Sequence, residues 1–146
     1  MLPAIGITVK KVPTELIAGL TNRGSNFQLA ISTITIFELC AKSAKLVAAD
    51  MLRLERVSRG VAGLLKDDAL TKYDSYGAPQ LSVALKLRSL LDDFIDCLIL
   101  ATAMVHCDVL ITEDNRIHGL KRKEEFAKLA NSLNNPKFTI RRLAEV

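Results

Sequence analysis

Residues 92–115, DDFIDCLILATAMVHCDVLITEDN, decide how this chain is read. Acids stand at both ends, Asp92, Asp93 and Asp96 at the start and Glu113 and Asp114 at the close, and nearly everything between them is apolar. FIDCLILATAMVH offers no broad polar face, so it predicts a helix buried on almost every side, with Asp92 or Asp93 as its N-cap. DVLIT follows at once and predicts a strand. A buried helix feeding a buried strand is a building unit of parallel sheets.

Upstream, FQLAIST alternates poorly and predicts a second strand buried on both faces. The next thirty or so residues, ITIFELCAKSAKLVAADMLRLERVSRGVAGLL, repeat apolar positions at three and four and predict two helices. Asp67 and Asp68 open a polar connection, and KYDSYGAP brings Gly77 and Pro79 as breakers before the helical run QLSVALKLRSLL. Beyond DVLIT the pattern gives a turn over 114–119, a charged helix KRKEEFAKLANSL, an Asn-Asn-Pro turn and a last strand, KFTIRRL. Before all of these, Pro13 and Thr14 open a short helix, TELIAGL, closed by turn residues at 22–25. The expected fold is α/β, a three-layer sandwich with a central parallel sheet, formed by 1–146 as a single domain. Ligands of such sheets bind at the carboxyl ends of the strands.

Composition narrows the class. With 49% hydrophobic and 5% aromatic residues, 146 residues bury an aliphatic core without disulfides. The apolar run of 94–105 is broken by Asp96 and Thr102 and is too short to span a bilayer, and no signal peptide opens the chain, so a cytoplasmic protein is expected. Cys40, Cys97 and Cys107 lack CxxC spacing and read as small core residues. The net charge of +4 permits a nucleic-acid partner. Its basic residues gather at Lys42, Lys45, Arg53, Arg56 and Arg59 and at Lys121, Arg122, Lys123, Arg141 and Arg142, where a solvated helix face explains them as readily as phosphate binding.

Three acids stand out. Asp96 lies in the first turn of an apolar helix; a buried carboxylate without a partner costs several kcal/mol, so it demands a cation or water. Asp114 follows DVLIT, at the end of a strand where sites form, although a helix-capping Asp fits there too. Glu38 follows FQLAIST by a helical turn, with a simple ion pair to Lys42 as the competing reading. All three fall at junctions that a parallel sheet brings to one edge, and three hard oxygen ligands suit Mg²⁺ or Mn²⁺. Asp93 shares a helix face with Asp96 and is an auxiliary candidate, whereas Glu113 points away and reads as solvated. His106 and His118 stand alone. No arrangement of Ser, His or Cys suggests a covalent nucleophile, and no Gly-rich loop cradles a nucleotide.

The pieces AISTITIFELCAK around Glu38, DDFIDCLILATAMVHCDVLITEDN around Asp96 and Asp114, and the strand FTI together resemble PIN-domain ribonucleases, especially the VapC-type toxins of toxin-antitoxin systems. The resemblance implies that Glu38, Asp96 and Asp114 are metal-binding catalytic acids of a Mg²⁺- or Mn²⁺-dependent endoribonuclease. It also implies an RNA substrate, a cognate antitoxin and a homodimer. A non-catalytic RNA-binding or assembly module of the same fold is the alternative. The family opens with an apolar strand ending in Asp followed by Thr or Ser, that Asp being a fourth ligand. Here Met1 runs directly into LPAIGITVKKVPTEL, so the first family strand and its acid are expected to be missing. On that expectation Met1 is an internal residue of a longer natural chain, and the chain as it stands has impaired activity.

Overall fold

The computed structural model describes residues 28–146; the helix expected after Pro13 and the expectations about the first strand and its Asp lie outside the described residues. The chain forms two compact units that divide after Lys72.

In the first unit, strand β1 (Leu29–Ser32) passes directly into helix α1 (Thr33–Ala48). Ser32 makes that switch possible: it stays extended, and its hydroxyl accepts the Thr35 amide, satisfying a donor that the first turn leaves open. Ile34, Ile36, Leu39 and Ser43 are buried, the Ser43 hydroxyl donating back to the Leu39 carbonyl at 2.6 Å. At the far end Asp50 adopts φ 56°, with its amide on Val47 O and the Met51 amide on Leu46 O, so the last carbonyls are capped by a left-handed residue. Helix α2 (Leu54–Lys66) follows, giving the two helices that the periodicity predicts, and packs on α1 through the buried Val57.

Strand β2 (Leu70–Tyr73) pairs with β1. It lies in the stretch read as a polar connection. Asp67 accepts the Ala69 amide in a side-chain turn, after which Thr71 and Tyr73 favour an extended chain; pairing with a strand some forty residues earlier stabilises what four residues could not hold alone.

The second unit continues with helix α3 (Ala78–Leu87). Gly77 is its N-cap and Pro79 lies in its first turn, so Pro79 starts the helix rather than breaking one. Helix α4 (Phe94–His106) is capped by Asp93, whose Oδ1 accepts the Ile95 amide at 2.8 Å. Its burial is as the sequence suggests, with Cys97, Leu98, Leu100, Ala101, Thr102, Ala103 and Met104 all inside. Val83, Ala84 and Leu87 of α3 pack against it, and with Leu120 and Ile140 they form the core. Asn135 donates to both Met104 O and Cys107 O at 3.0 Å, pairing carbonyls that the end of α4 leaves open.

Strand β3 (Val109–Ile111) pairs in parallel with β4 (Thr139–Arg141), Leu110 opposite Ile140. The segment after β3, read as a turn, is helix α5 (Asn115–Gly119), followed by a 3-10 turn over Leu120–Arg122. Helix α6 (Glu124–Ser132) starts three residues later than its sequence pattern suggests. Lys121 and Lys123 would oppose the helix dipole in a first turn that Glu124 and Glu125 complement. Asn134, at φ 54°, ends the helix and leads to β4.

The fold is α/β, with helices built around short strands that include a parallel pair. Among the described residues no helix is long and apolar enough to cross a membrane.

Candidate functional site

Asp96 and Asp114 reach one another through a single cation. Arg116 directs Nη2 to Asp96 Oδ2 at 3.2 Å and to Asp114 Oδ2 at 3.6 Å. The two acids come from different elements, the first turn of α4 and the start of α5, at the carboxyl end of β3. The demand that Asp96 makes from within an apolar helix is thereby met. Its side chain is 20% exposed and that of Asp114 is 32%, while the Arg116 side chain is 61% exposed.

Asp114 divides its oxygens. Oδ1 caps α5, accepting the amides of Arg116 at 2.6 Å and Ile117 at 3.3 Å, while Oδ2 faces the guanidinium. The capping reading therefore holds, and the second oxygen is left to face Arg116. Thr112 steadies the turn, its hydroxyl accepting the Asp114 amide and its carbonyl contacting His118 Nε2 at 2.9 Å.

Glu38 belongs to the first unit, where its Oε1 pairs with Lys42 Nζ at 2.6 Å, the ion pair foreseen at a spacing of four. Asp93 serves α4 as its cap. Within neither unit do three or more His, Cys, Asp or Glu side chains of the described residues gather to hold a metal. Two carboxylate oxygens converging on one cation nevertheless match the donor chemistry of a hard divalent ion, with Arg116 as the stand-in.

Glu113 is more than a solvated neighbour. Its carboxylate accepts Arg142 Nη1 and the Leu143 amide, both at 3.0 Å. Arg142 also donates to Asn115 Oδ1 at 2.6 Å, and its own amide donates to Glu145 Oε2 at 2.9 Å. The Leu143 amide, then Arg142, hold Glu113 below the ordinary carboxylate range, and the Arg142 amide does the same for Glu145. Both acids are exposed, so these are local hydrogen-bond effects.

The cysteines are free, Cys97 buried and Cys40 and Cys107 half-buried; burial raises the thiols of Cys97 and Cys107. The histidines, isolated in sequence, have partners. His106 stacks on Tyr73 with ring centres 4.3 Å apart and contacts Gln80 Nε2 at 2.6 Å. An open groove lies elsewhere in the second unit, with Lys121, Phe126, Phe138, Ile140 and Arg141 in its wall, and neither Asp96 nor Asp114 lines it. Arg53, the N-cap of α2, and Arg56 and Arg59 within it are exposed along one open surface.

Arg116 is the residue that sequence reasoning missed. The signal was there: Asp96 called for a partner, a cation or water, and Arg116 is the first basic residue after the acids that close the opening stretch.

Comparison with known families matches the PIN domain over residues 11–123. Neither the curated proteins nor the solved structures gave a match.

Proposed function

The chain belongs to the PIN domain family, and on that premise we propose that it is a divalent-metal-dependent endoribonuclease, the toxin of a toxin-antitoxin pair. PIN domains are commonly nucleases that act on RNA and depend on divalent metal. The observation that carries the reading is the meeting of Asp96 and Asp114 at one cation beyond the end of β3. Glu38 is the proposed third ligand and Asp93 the auxiliary acid; the matched residues draw on both units, which supports a single domain.

Asp96 Oδ2 and Asp114 Oδ2 would hold Mg²⁺ or Mn²⁺, while Asp114 Oδ1 stays with α5. When bound, such an ion supplies Lewis acidity to a phosphodiester and lowers the pKa of water. The protein's part is to fix both carboxylates before substrate arrives: Asp93 and Asp114 cap the two helices that carry the site, so the acids need no rearrangement of backbone. Exposed Arg53, Arg56 and Arg59, with Lys121 to Lys123, are the proposed phosphate contacts. A cognate antitoxin, a homodimer and a cytoplasmic location complete the proposal.

The test is cleavage of a mixed RNA pool by the purified chain with Mn²⁺ or Mg²⁺, with Asp96→Asn and Asp114→Asn as controls. Cleavage that both substitutions abolish supports the reading. Cleavage that survives them overturns the assignment of the acids.

One observation favours the second reading, a non-catalytic RNA-binding or assembly module: Glu38, Asp96 and Asp114 each have a basic side chain as partner. That reading predicts salt-dependent RNA retention with no cleavage, unchanged by either Asp→Asn substitution.

A further inference from the structure

Arg116 is attached to the site in an unusual way. Its backbone amide is fixed by Asp114 Oδ1 at 2.6 Å, whereas among the described residues its guanidinium is held by the Oδ2 atoms of Asp96 and Asp114, and its side chain is 61% exposed. The amide therefore anchors the residue while the charged end is free to leave for water. Exposed ion pairs contribute roughly 0–1 kcal/mol, so releasing this end costs the fold little. A divalent cation offers twice its charge to the same oxygens.

We infer that Arg116 is a built-in counter-cation, a positioning residue that holds the Asp96 and Asp114 carboxylates together until a divalent ion displaces its guanidinium, and so sets the affinity of the site for metal. This rests on the reading of Asp96 and Asp114 as metal ligands. Two carboxylates brought together without a counter-charge repel each other; Arg116 removes that repulsion, and it is the group a metal ion must displace. The Asp114 cap is unaffected, because it uses the other oxygen and the backbone amide.

The test is Mn²⁺ titration by calorimetry of the full chain, wild type against Arg116→Gln, Arg116→Lys and Asp96→Asn. Arg116→Gln is expected to bind Mn²⁺ about tenfold more tightly, the scale of removing one neighbouring cation, with Arg116→Lys near wild type and Asp96→Asn silent. In EDTA the Arg116→Gln protein should melt below wild type and recover with Mn²⁺, a crossover that general destabilisation would not produce. In the wild type itself, Mg²⁺ should shift the ¹⁵Nε resonance of Arg116 with the same midpoint as metal binding. Equal or weaker Mn²⁺ binding by Arg116→Gln, with Asp96→Asn still silent, overturns the inference and leaves the metal site standing. Absence of Mn²⁺ binding in every variant overturns both.

Discussion

Two arginine-centred clusters meet on the stretch 113–116 just beyond β3 and are built for opposite purposes. Arg142 is woven into the backbone: its guanidinium reaches the Glu113 side chain and carbonyl and Asn115 Oδ1, its amide donates to Glu145, and Glu113 accepts the Leu143 amide. Among the described residues, Arg116 bonds carboxylates alone with its guanidinium. Removing Arg142 leaves main-chain and side-chain groups without partners, whereas removing Arg116 leaves two acids able to accept another cation. The same ion-pair chemistry is a fastening in one place and a placeholder in the other. What distinguishes them is the set of groups that depend on the arginine.

The largest effects that would sharpen this contrast fall on the placeholder's acids. Asp96→Asn and Asp114→Asn keep the shape of each side chain and remove its charge, and each is expected to lower RNA cleavage by about 100-fold or more. Asn is as good an N-cap as Asp, so Asp114→Asn should melt near wild type, while Asp114→Ala also loses the α5 cap, at about 1 kcal/mol. Cleavage rates set beside melting curves check this. Equal loss of stability in Asp114→Asn and Asp114→Ala would show that the charge of Asp114 serves the fold.

The fastening should respond in reverse. Arg142→Ala is expected to lower the melting temperature clearly and to leave Mn²⁺ affinity unchanged, because Arg142 bonds no oxygen of Asp96 or Asp114. A shift in Mn²⁺ affinity in that variant would erase the distinction between the two clusters.

Asp93 tests the same distinction on a smaller scale. As a cap through Oδ1, it should keep its stability in Asp93→Asn while cleavage falls less than in Asp96→Asn, as befits an auxiliary acid, and Asp93→Ala also costs about 1 kcal/mol of stability. Unchanged cleavage in Asp93→Asn would leave Asp93 a helix cap and remove it from the proposed site.

The pattern of legibility follows from where each effect originates. α4 was readable because burial is written into its own residues, and Asp96 because a charge in an apolar helix is conspicuous by itself; β3 was readable from its Val, Leu and Ile as a strand, but not as the buried one expected, since Val109 and Leu110 are half-buried and Ile111 is exposed. β2 was not, since its four residues gain their state from pairing with β1. Arg116 was not, because its partner on α4 is twenty residues away and only the folded chain brings the starts of α4 and α5 together. Asn135 hid for the same reason: as one of two adjacent asparagines it reads as a turn, yet it closes α4 from about thirty residues downstream.

The smallest predicted effect belongs to Glu145, at the edge of the fastening. The Arg142 amide holds its carboxyl below its ordinary value of 4.5, so the charged form is favoured more in the folded chain than in the unfolded one. Its contribution is therefore present above the ordinary value and is lost as pH falls through the lowered one. Glu145→Gln keeps an acceptor for the amide but no charge, so it should melt slightly below wild type at neutral pH. The gap should close on acidification and shrink with added salt, which screens exposed charges. Melting curves of both proteins from neutral pH down through the carboxylate range check this. A gap that widens toward acid would mean that Glu145 stabilises the C-terminal turn in its protonated form, and the fastening would then depend on Arg142 and Glu113 alone.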